Sequence, residues 1–290
     1  MKLRCGSKSG MSFHRKLTAV VAATCVGAAV VAAASPAHRS SRTEDRIVWT
    51  HVGSLGYEIY LPDGYDTSSL RYPVVYFLHG LPANAAALRL FGWLDTAMDA
   101  QQKQAILVIP QGASGANTDP EYLGRWETAI ASDIPHAVDG RYRTIASRAG
   151  RAIIGLSAGG YGAMHLALAH LAMFSVVESW SGYFHPTDPT GDYPLDLGST
   201  AKNDAANVHK QFAKLRAQLA ELPLYIGFYI GRSDATGSFV AENEQLNQEL
   251  TGARIPHVFK LYPGGHQQSL WSREATTWLG LALNHLTGAR

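Results

Sequence analysis

The sequence predicts an α/β fold, with a mostly parallel central sheet and helices on both faces. Three observations point to it: unbroken apolar runs of strand length, helical patterns that alternate with them, and no internal repeat or low-complexity linker from Val48 onward. An apolar run that does not alternate with polar residues describes a strand buried on both faces, and such strands belong to parallel sheets covered by helices.

In chain order, residues 57–61 and 73–78 read as strands, with Pro62-Asp63-Gly64 as turn chemistry between them. Residues 105–109 form a continuous apolar run ended by Pro110, and residues 151–155, 175–179, 224–230 and 257–261 have the same character. Helical patterns fall at residues 93–101, 159–170, 208–219, 239–250 and 269–286. Residues 182–203, rich in Pro, Asp, Gly and Thr, fit neither pattern and read as an irregular loop, either over a site or simply solvated.

The first residues read as an export signal rather than as part of the fold. Arg15 and Lys16 give a basic start, residues 17–34 are an unbroken apolar and small-residue run, and Ser35-Pro36-Ala37 offers a cleavage site. The expected organisation is a removed signal peptide over residues 1–37 and a single domain over residues 38–290, in a secreted or cell-envelope protein. Met11 is an alternative start, and the alternatives to cleavage are a retained membrane anchor or a lipid-modified Cys25. Removing residues 1–37 takes away five basic residues and no acid, so the formal charge of +2 becomes −3. A mildly acidic body without a Lys/Arg run has no electrostatic footprint for nucleic acid or anionic lipid. Cys5 and Cys25 leave with the leader, so the mature chain has neither disulfide nor cysteine nucleophile. A chain of this size buries roughly 70–75% of its unfolded surface and stands on its core alone.

The strongest chemical signal is Gly155-Leu156-Ser157-Ala158-Gly159, between an apolar strand and a helix. That is the setting of a nucleophile elbow, which an α/β-hydrolase fold presents in chain order Ser, acid, His. A serine hydroxyl needs a base, and the base an orienting carboxylate. His266 follows a strand end and the turn Pro263-Gly264-Gly265, whereas His257 opens a strand and His285 lies in the last helix. Asp234 follows the 224–230 run through Gly231-Arg232-Ser233; Asp188 and Asp192, after the preceding strand, are its rivals. The oxyanion needs two backbone N–H donors: Ala158 after the nucleophile, and Leu81 after the strand leading to His79-Gly80. His79 itself reads as a loop-holding residue. Trp126, Trp180 and Trp271 stand near predicted loops as residues to line an acyl or aryl pocket, with core packing as the plainer alternative. No HExxH and no phosphate loop is present, and the spacing of His165 and His170 does not place them on one helical face, so neither metal nor cofactor is expected.

These motifs together resemble the esterase D-like esterases. The resemblance rests on residues 60–66, residues 72–80, the elbow with Gly160, and Pro263-Gly264-Gly265-His266 with Trp271. That group includes S-formylglutathione hydrolases, feruloyl esterases, enterochelin-type esterases and the secreted mycolyltransferases. It implies Ser157, Asp234 and His266 as triad and the Leu81 and Ala158 backbones as oxyanion hole. Arg125-Trp126-Glu127-Thr128 is similar to a segment near the active site of the mycolyltransferases. Those enzymes carry aspartate where this chain has His79 and use a triad glutamate where it has Asp234; the S-formylglutathione hydrolases are cytosolic, against the leader. The expectation is an exported serine carboxylesterase acting on a small-molecule, lipid-linked or polysaccharide-linked ester. Acyl transfer to a sugar or glycerol hydroxyl is the alternative, and a non-catalytic surface binding protein on the same scaffold is the third.

Overall fold

The computed structural model describes residues 46–81, 92–112, 122–188 and 193–290. The leader over residues 1–37, with its cleavage site, and Asp192 lie outside them. The strands are β1 (Ile47–Val52), β2 (Leu55–Tyr60), β3 (Val74–Leu78), β4 (Ile106–Pro110), β5 (Arg151–Leu156), β6 (Val176–Trp180), β7 (Tyr225–Gly231) and β8 (Val258–Tyr262). They form one 8-stranded sheet in the order β1-β2-β4-β3-β5-β6-β7-β8. From β4 to β8 every pairing is parallel, while β1 with β2 and β2 with β4 are antiparallel.

The helices among the described residues are α1 (Trp93–Asp99), α2 (Arg125–Thr128), α3 (Ile134–Arg141), α4 (Ala158–Ala169), α5 (Thr200–Ala206), α6 (Val208–Glu221), α7 (Phe239–Ala253) and α8 (Gln268–Asn284). A π-helical turn, Ala129–Asp133, joins α2 to α3. Side chains alternate across a strand, so β3 feeds two cores: Val74, Tyr76 and Leu78 enter one cluster with α3, α4, α6 and α7, and Val75 and Phe77 enter the other with α1 and α8. Helices therefore cover both faces, as the apolar runs predict.

Three parts of the fold differ from the sequence reading. β1 was not foreseen, because it is a half-exposed edge strand on which Thr50 alone is buried; it turns back on β2 through Gly53, at φ 57. The pair α2–α3 was also not foreseen. Its segments are short and interrupted by the π turn, although a parallel β4-to-β5 passage requires a crossover of this kind. The irregular stretch after β6 is shorter than predicted, since residues 200–203 already belong to α5, capped by the Ser199 hydroxyl accepting from the Lys202 N–H at 3.3 Å.

Candidate active site

Ser157 stands between β5 and α4 with φ 57 and ψ −122, a conformation that a β-carbon disfavours. The flanking glycines make it attainable. A β-carbon on Gly155 would overlap the Gly159 carbonyl, and one on Gly159 would overlap the Leu78 carbonyl at the end of β3. Close approach of strand, helix and loop thus needs both glycines, and it presents the hydroxyl at the carboxyl end of the sheet.

His266 reaches the serine from the loop after β8, its Nε2 2.9 Å from Ser157 Oγ, and its Nδ1 lies 2.8 Å from Asp234 Oδ2 after β7. Because a carboxylate only accepts, Nδ1 donates to Asp234, and in the neutral ring the Nε2 lone pair then faces the serine hydroxyl, which donates to it. The other Asp234 oxygen accepts the Thr236 N–H at 3.0 Å. Burial pushes the Asp234 carboxyl up, but the His266 hydrogen bond and charge together with the Thr236 bonds outweigh it, and the group sits below the usual carboxylate range. A chain of this kind can move a proton from serine to imidazole while the carboxylate holds the ring.

The loops carrying these groups are bonded to one another through their backbones. The Ser157 N–H donates to the Trp180 carbonyl (2.9 Å), Ser181 N–H to Tyr229 (2.7 Å), Arg232 N–H to Tyr262 (2.7 Å) and Ser233 N–H to Gly264 (2.9 Å). The ladders of β5 to β8 therefore continue into the site. Trp271, in the first turn of α8, stands edge-to-face against His266, with ring centroids 5.1 Å apart, and its indole N–H donates to Ser181 Oγ at 3.0 Å. Phe239 meets the same imidazole at 6.0 Å and stacks on Tyr183. Glu242 of α7 accepts from the Phe184 N–H and the His185 ring, tying the loop after β6 to the helix after Asp234.

On the early-strand side, Gly80 lies against Ser157: a β-carbon there would stand 3.0 Å from Ser157 Cβ. Ala158 N–H is the first helical amide, one of the group a helix leaves without an intrahelical acceptor. Leu81 follows Gly80 and ends the described stretch.

The residues expected to line a pocket divide. Trp271 is at the triad and partly exposed. Trp180 is not available: its ring is 0% exposed, packs on Phe77 and Tyr229, and donates to Glu178 Oε2 at 2.9 Å, so only its carbonyl serves the site. Trp126 is 4% exposed under Arg125, and its neighbour Glu127 bonds His170 past the far end of α4 from Ser157. Among the described contacts, none joins Trp126 to the triad. Of the rival groups, His257 is occupied by Ile255 and Asn247, His285 stacks on Tyr225, and Asp188 accepts the Tyr193 N–H. His165 and His170 do approach one carboxylate, Glu127, because His170 lies beyond the helix end, where the 3.6-residue period no longer applies. Among the described residues no cluster of His, Cys, Asp or Glu is arranged to hold a metal ion, and no helix is long and apolar enough to cross a membrane. Ser181 and Phe239 were not singled out from the sequence as parts of the site; only Ser181, placed directly after a strand end, carried a positional signal, whereas the loop-holding role read for His79 agrees with its bonds to Gly80 and Gly112.

Comparison with known proteins adds to this geometry. The Esterase family model, described as Putative esterase, matches residues 53–279. Esterase Rv1288 of Mycobacterium tuberculosis is 28% identical over 241 residues, covering 73% of this chain and 52% of that protein. The chain thus spans about half the length of the curated relatives it matches. Among solved structures, a ferulic acid esterase superposes with a TM-score of 0.70 at 23% identity, covering 83% of this chain and 98% of that one. An S-formylglutathione hydrolase from Agrobacterium tumefaciens gives 0.67 at 16% identity, covering 83% and 95%. At these identities the likeness establishes a shared fold.

Proposed function

We propose that this chain, which belongs to the Esterase family and has the α/β-hydrolase fold, is a serine carboxylesterase working through an acyl-serine intermediate. The observation that carries the reading is the unbroken hydrogen-bond chain from Ser157 through His266 to Asp234. In the acylation step Ser157 Oγ attacks the ester carbonyl as His266 Nε2 takes its proton. The carbonyl oxygen becomes an oxyanion facing the Ala158 and Leu81 N–H groups. The imidazolium, held by Asp234, gives the proton to the departing alcohol, and the acyl group remains on Ser157. Water then enters, loses a proton to the same imidazole, and releases the acid and the free serine.

Trp271 flanks the imidazole with part of its surface open, which suits it to contact the acyl or alcohol group. The substrate class is a small-molecule ester or an ester linked to lipid or polysaccharide. Acyl transfer uses the same triad, so the readings separate only by product. With sugar, glycerol and lipid alcohols present, hydrolysis gives mainly free acid, and a product pool dominated by new ester would replace it with transfer. A complete hydrogen-bonded triad argues against a pure binding protein. We also propose export by the leader, from the basic start and apolar run of residues 15–34; N-terminal sequencing of protein from culture medium should begin near His38, and recovery only in membranes with residues 17–34 intact contradicts it.

The central test is labelling by a fluorophosphonate. Ser157 should be the modified residue, and Ser157→Ala should lose both labelling and turnover. Undiminished ester hydrolysis by that variant would place the chemistry elsewhere.

A further inference from the structure

His79 lies at the end of β3, 3% exposed, and both of its ring nitrogens are engaged. Nδ1 is 2.9 Å from the Gly80 carbonyl oxygen, an acceptor, so Nδ1 must carry a proton. Nε2 receives the Gly112 N–H at 3.0 Å, so Nε2 must present its lone pair. The two bonds together fix one species, the neutral Nδ1–H tautomer. Burial agrees with this, since it lowers the ring's basicity more than the bond to Gly80 restores it. The Tyr122 phenol donates to the His79 carbonyl, and its ring lies against both Gly112 and Gly162, filling the space a β-carbon would need at either. The imidazole therefore cannot turn without breaking bonds on both sides.

The acceptor of this bond is the informative part. The Gly80 carbonyl belongs to the same peptide unit as the Leu81 N–H. That unit is planar and trans, so its C=O and N–H point in opposite directions. A side chain that pins the oxygen also pins the direction of the hydrogen, which faces away from the imidazole. Donation to the carbonyl further polarises the amide and makes its N–H a better donor.

We propose that His79 is a positioning residue that aims the Leu81 N–H at the developing oxyanion, with Gly112 setting the tautomer that lets it do so. The proposal rests on the esterase reading of Ser157 and Leu81 given above. Since the oxyanion exists only in the transition state, the effect lies in kcat and leaves KM unchanged.

Two substitutions separate positioning from plain packing. Asparagine places its amide nitrogen two bonds beyond Cβ, as Nδ1 is, and keeps the donor to Gly80 while losing the acceptor for Gly112. Glutamine places its amide three bonds beyond Cβ, as Nε2 is, and keeps the acceptor while losing the donor. Each variant loses one buried hydrogen bond, so similar falls in Tm are expected. With p-nitrophenyl acetate, His79→Gln should lower kcat about 30-fold and His79→Asn about threefold or less, a fraction of the roughly 10²–10³ attached to losing a whole oxyanion donor. Equal kcat in the two variants, or a ranking that follows Tm alone, would overturn the proposal. If neither variant folds, the nitrogen-15 NMR shifts of the wild-type ring decide: a neutral Nδ1–H imidazole at neutral pH upholds it, and an Nε2–H or cationic ring refutes it. Ser157→Ala run alongside separates the two readings. Turnover by that variant defeats the esterase reading, whereas an inactive Ser157→Ala with stoichiometric fluorophosphonate labelling and equal kcat in both His79 variants defeats only the positioning role.

Discussion

Gly80→Ala tests how closely the early-strand loop and the nucleophile depend on each other. The backbone at Gly80 is not in the left-handed region, so alanine meets no positive-φ penalty there, and the cost that the geometry sets is steric. The added methyl would stand 3.0 Å from Ser157 Cβ, 3.1 Å from the Leu156 carbonyl oxygen and 3.7 Å from Ser157 Oγ, where ordinary contact begins at 3.4 Å. The loop or the elbow must therefore yield by a few tenths of an ångström. The elbow is held by Trp180 and by the glycines around it, so the loop moves, and Leu81 moves with it. Overpacking of this size costs about 1 kcal/mol at the low end of its range, or about 2–4 °C in Tm for a chain of this length. The catalytic effect is larger, because a site tolerates only about 0.5 Å of misplacement. A stretched oxyanion bond short of outright loss corresponds to about a tenfold fall in kcat, with KM within about threefold. Steady-state hydrolysis of p-nitrophenyl esters, corrected by fluorophosphonate titration of active sites, measures both constants. Wild-type kcat with a lowered Tm would refute the claim that this loop serves the transition state, and wild-type values of both would refute the packing itself.

The remaining predictions concern ionisable groups. His266→Ala should lower kcat by about 10⁴-fold or more, while His257→Ala, whose ring bonds to Ile255 and Asn247 and stacks on Phe228, should cost about 1 kcal/mol of stability per lost bond and little activity; the reverse ranking in a kinetic and thermal comparison would mean the other histidine is the base. Asp234→Asn should lower kcat roughly 10³- to 10⁴-fold. Because the folded Asp234 pKa is depressed, its carboxylate stabilises the fold above the unfolded value and loses that contribution as pH falls through the folded one, so urea titrations should show the wild type and Asn variant converging in acid. Glu178 has the opposite sign: full burial raises its carboxyl well above the usual range, so the fold pays for neutralising it at any pH above the unfolded value. Glu178→Gln should therefore be more stable than wild type at neutral pH, with the gain shrinking below about pH 4; a constant gain across pH would locate the effect in packing instead.

Legibility in the sequence followed burial in the inner strands, while β8, partly exposed throughout, was legible from its apolar run alone. The runs at 73–78, 105–109 and 151–155 lie close to β3, β4 and β5, because strands buried on both faces contain few polar residues to blur the pattern. β1 was illegible for the converse reason: it faces solvent on much of its length, and its pairing is set by β2 rather than by its own composition. At the site, chain order and strand ends bring Ser157, Asp234 and His266 together, since a strand's carboxyl end is recognisable wherever an apolar run meets Gly and Ser. Trp180 marks where such reasoning stops. Its place at a strand end was readable, but the face its ring takes depends on a one-residue parity, and that parity sends the ring into the core with Phe77 and Tyr229. His79 was readable as a loop-holding residue, but the positioning role proposed for it was hidden, because it passes through a peptide carbonyl, which every residue type carries.

The backbone bonds that extend the ladders of β5 to β8 into the site have a consequence for how the molecule fails. The Ser157, Ser181, Arg232 and Ser233 amides each donate to a neighbouring strand or loop, so releasing any one loop means unzipping the end of the sheet. On this arrangement Ser157, Asp234 and His266 are expected to open together with the sheet end as one cooperative unit. Those four amides should exchange their hydrogens only through global unfolding, and activity in rising urea should disappear along the same curve as the fold.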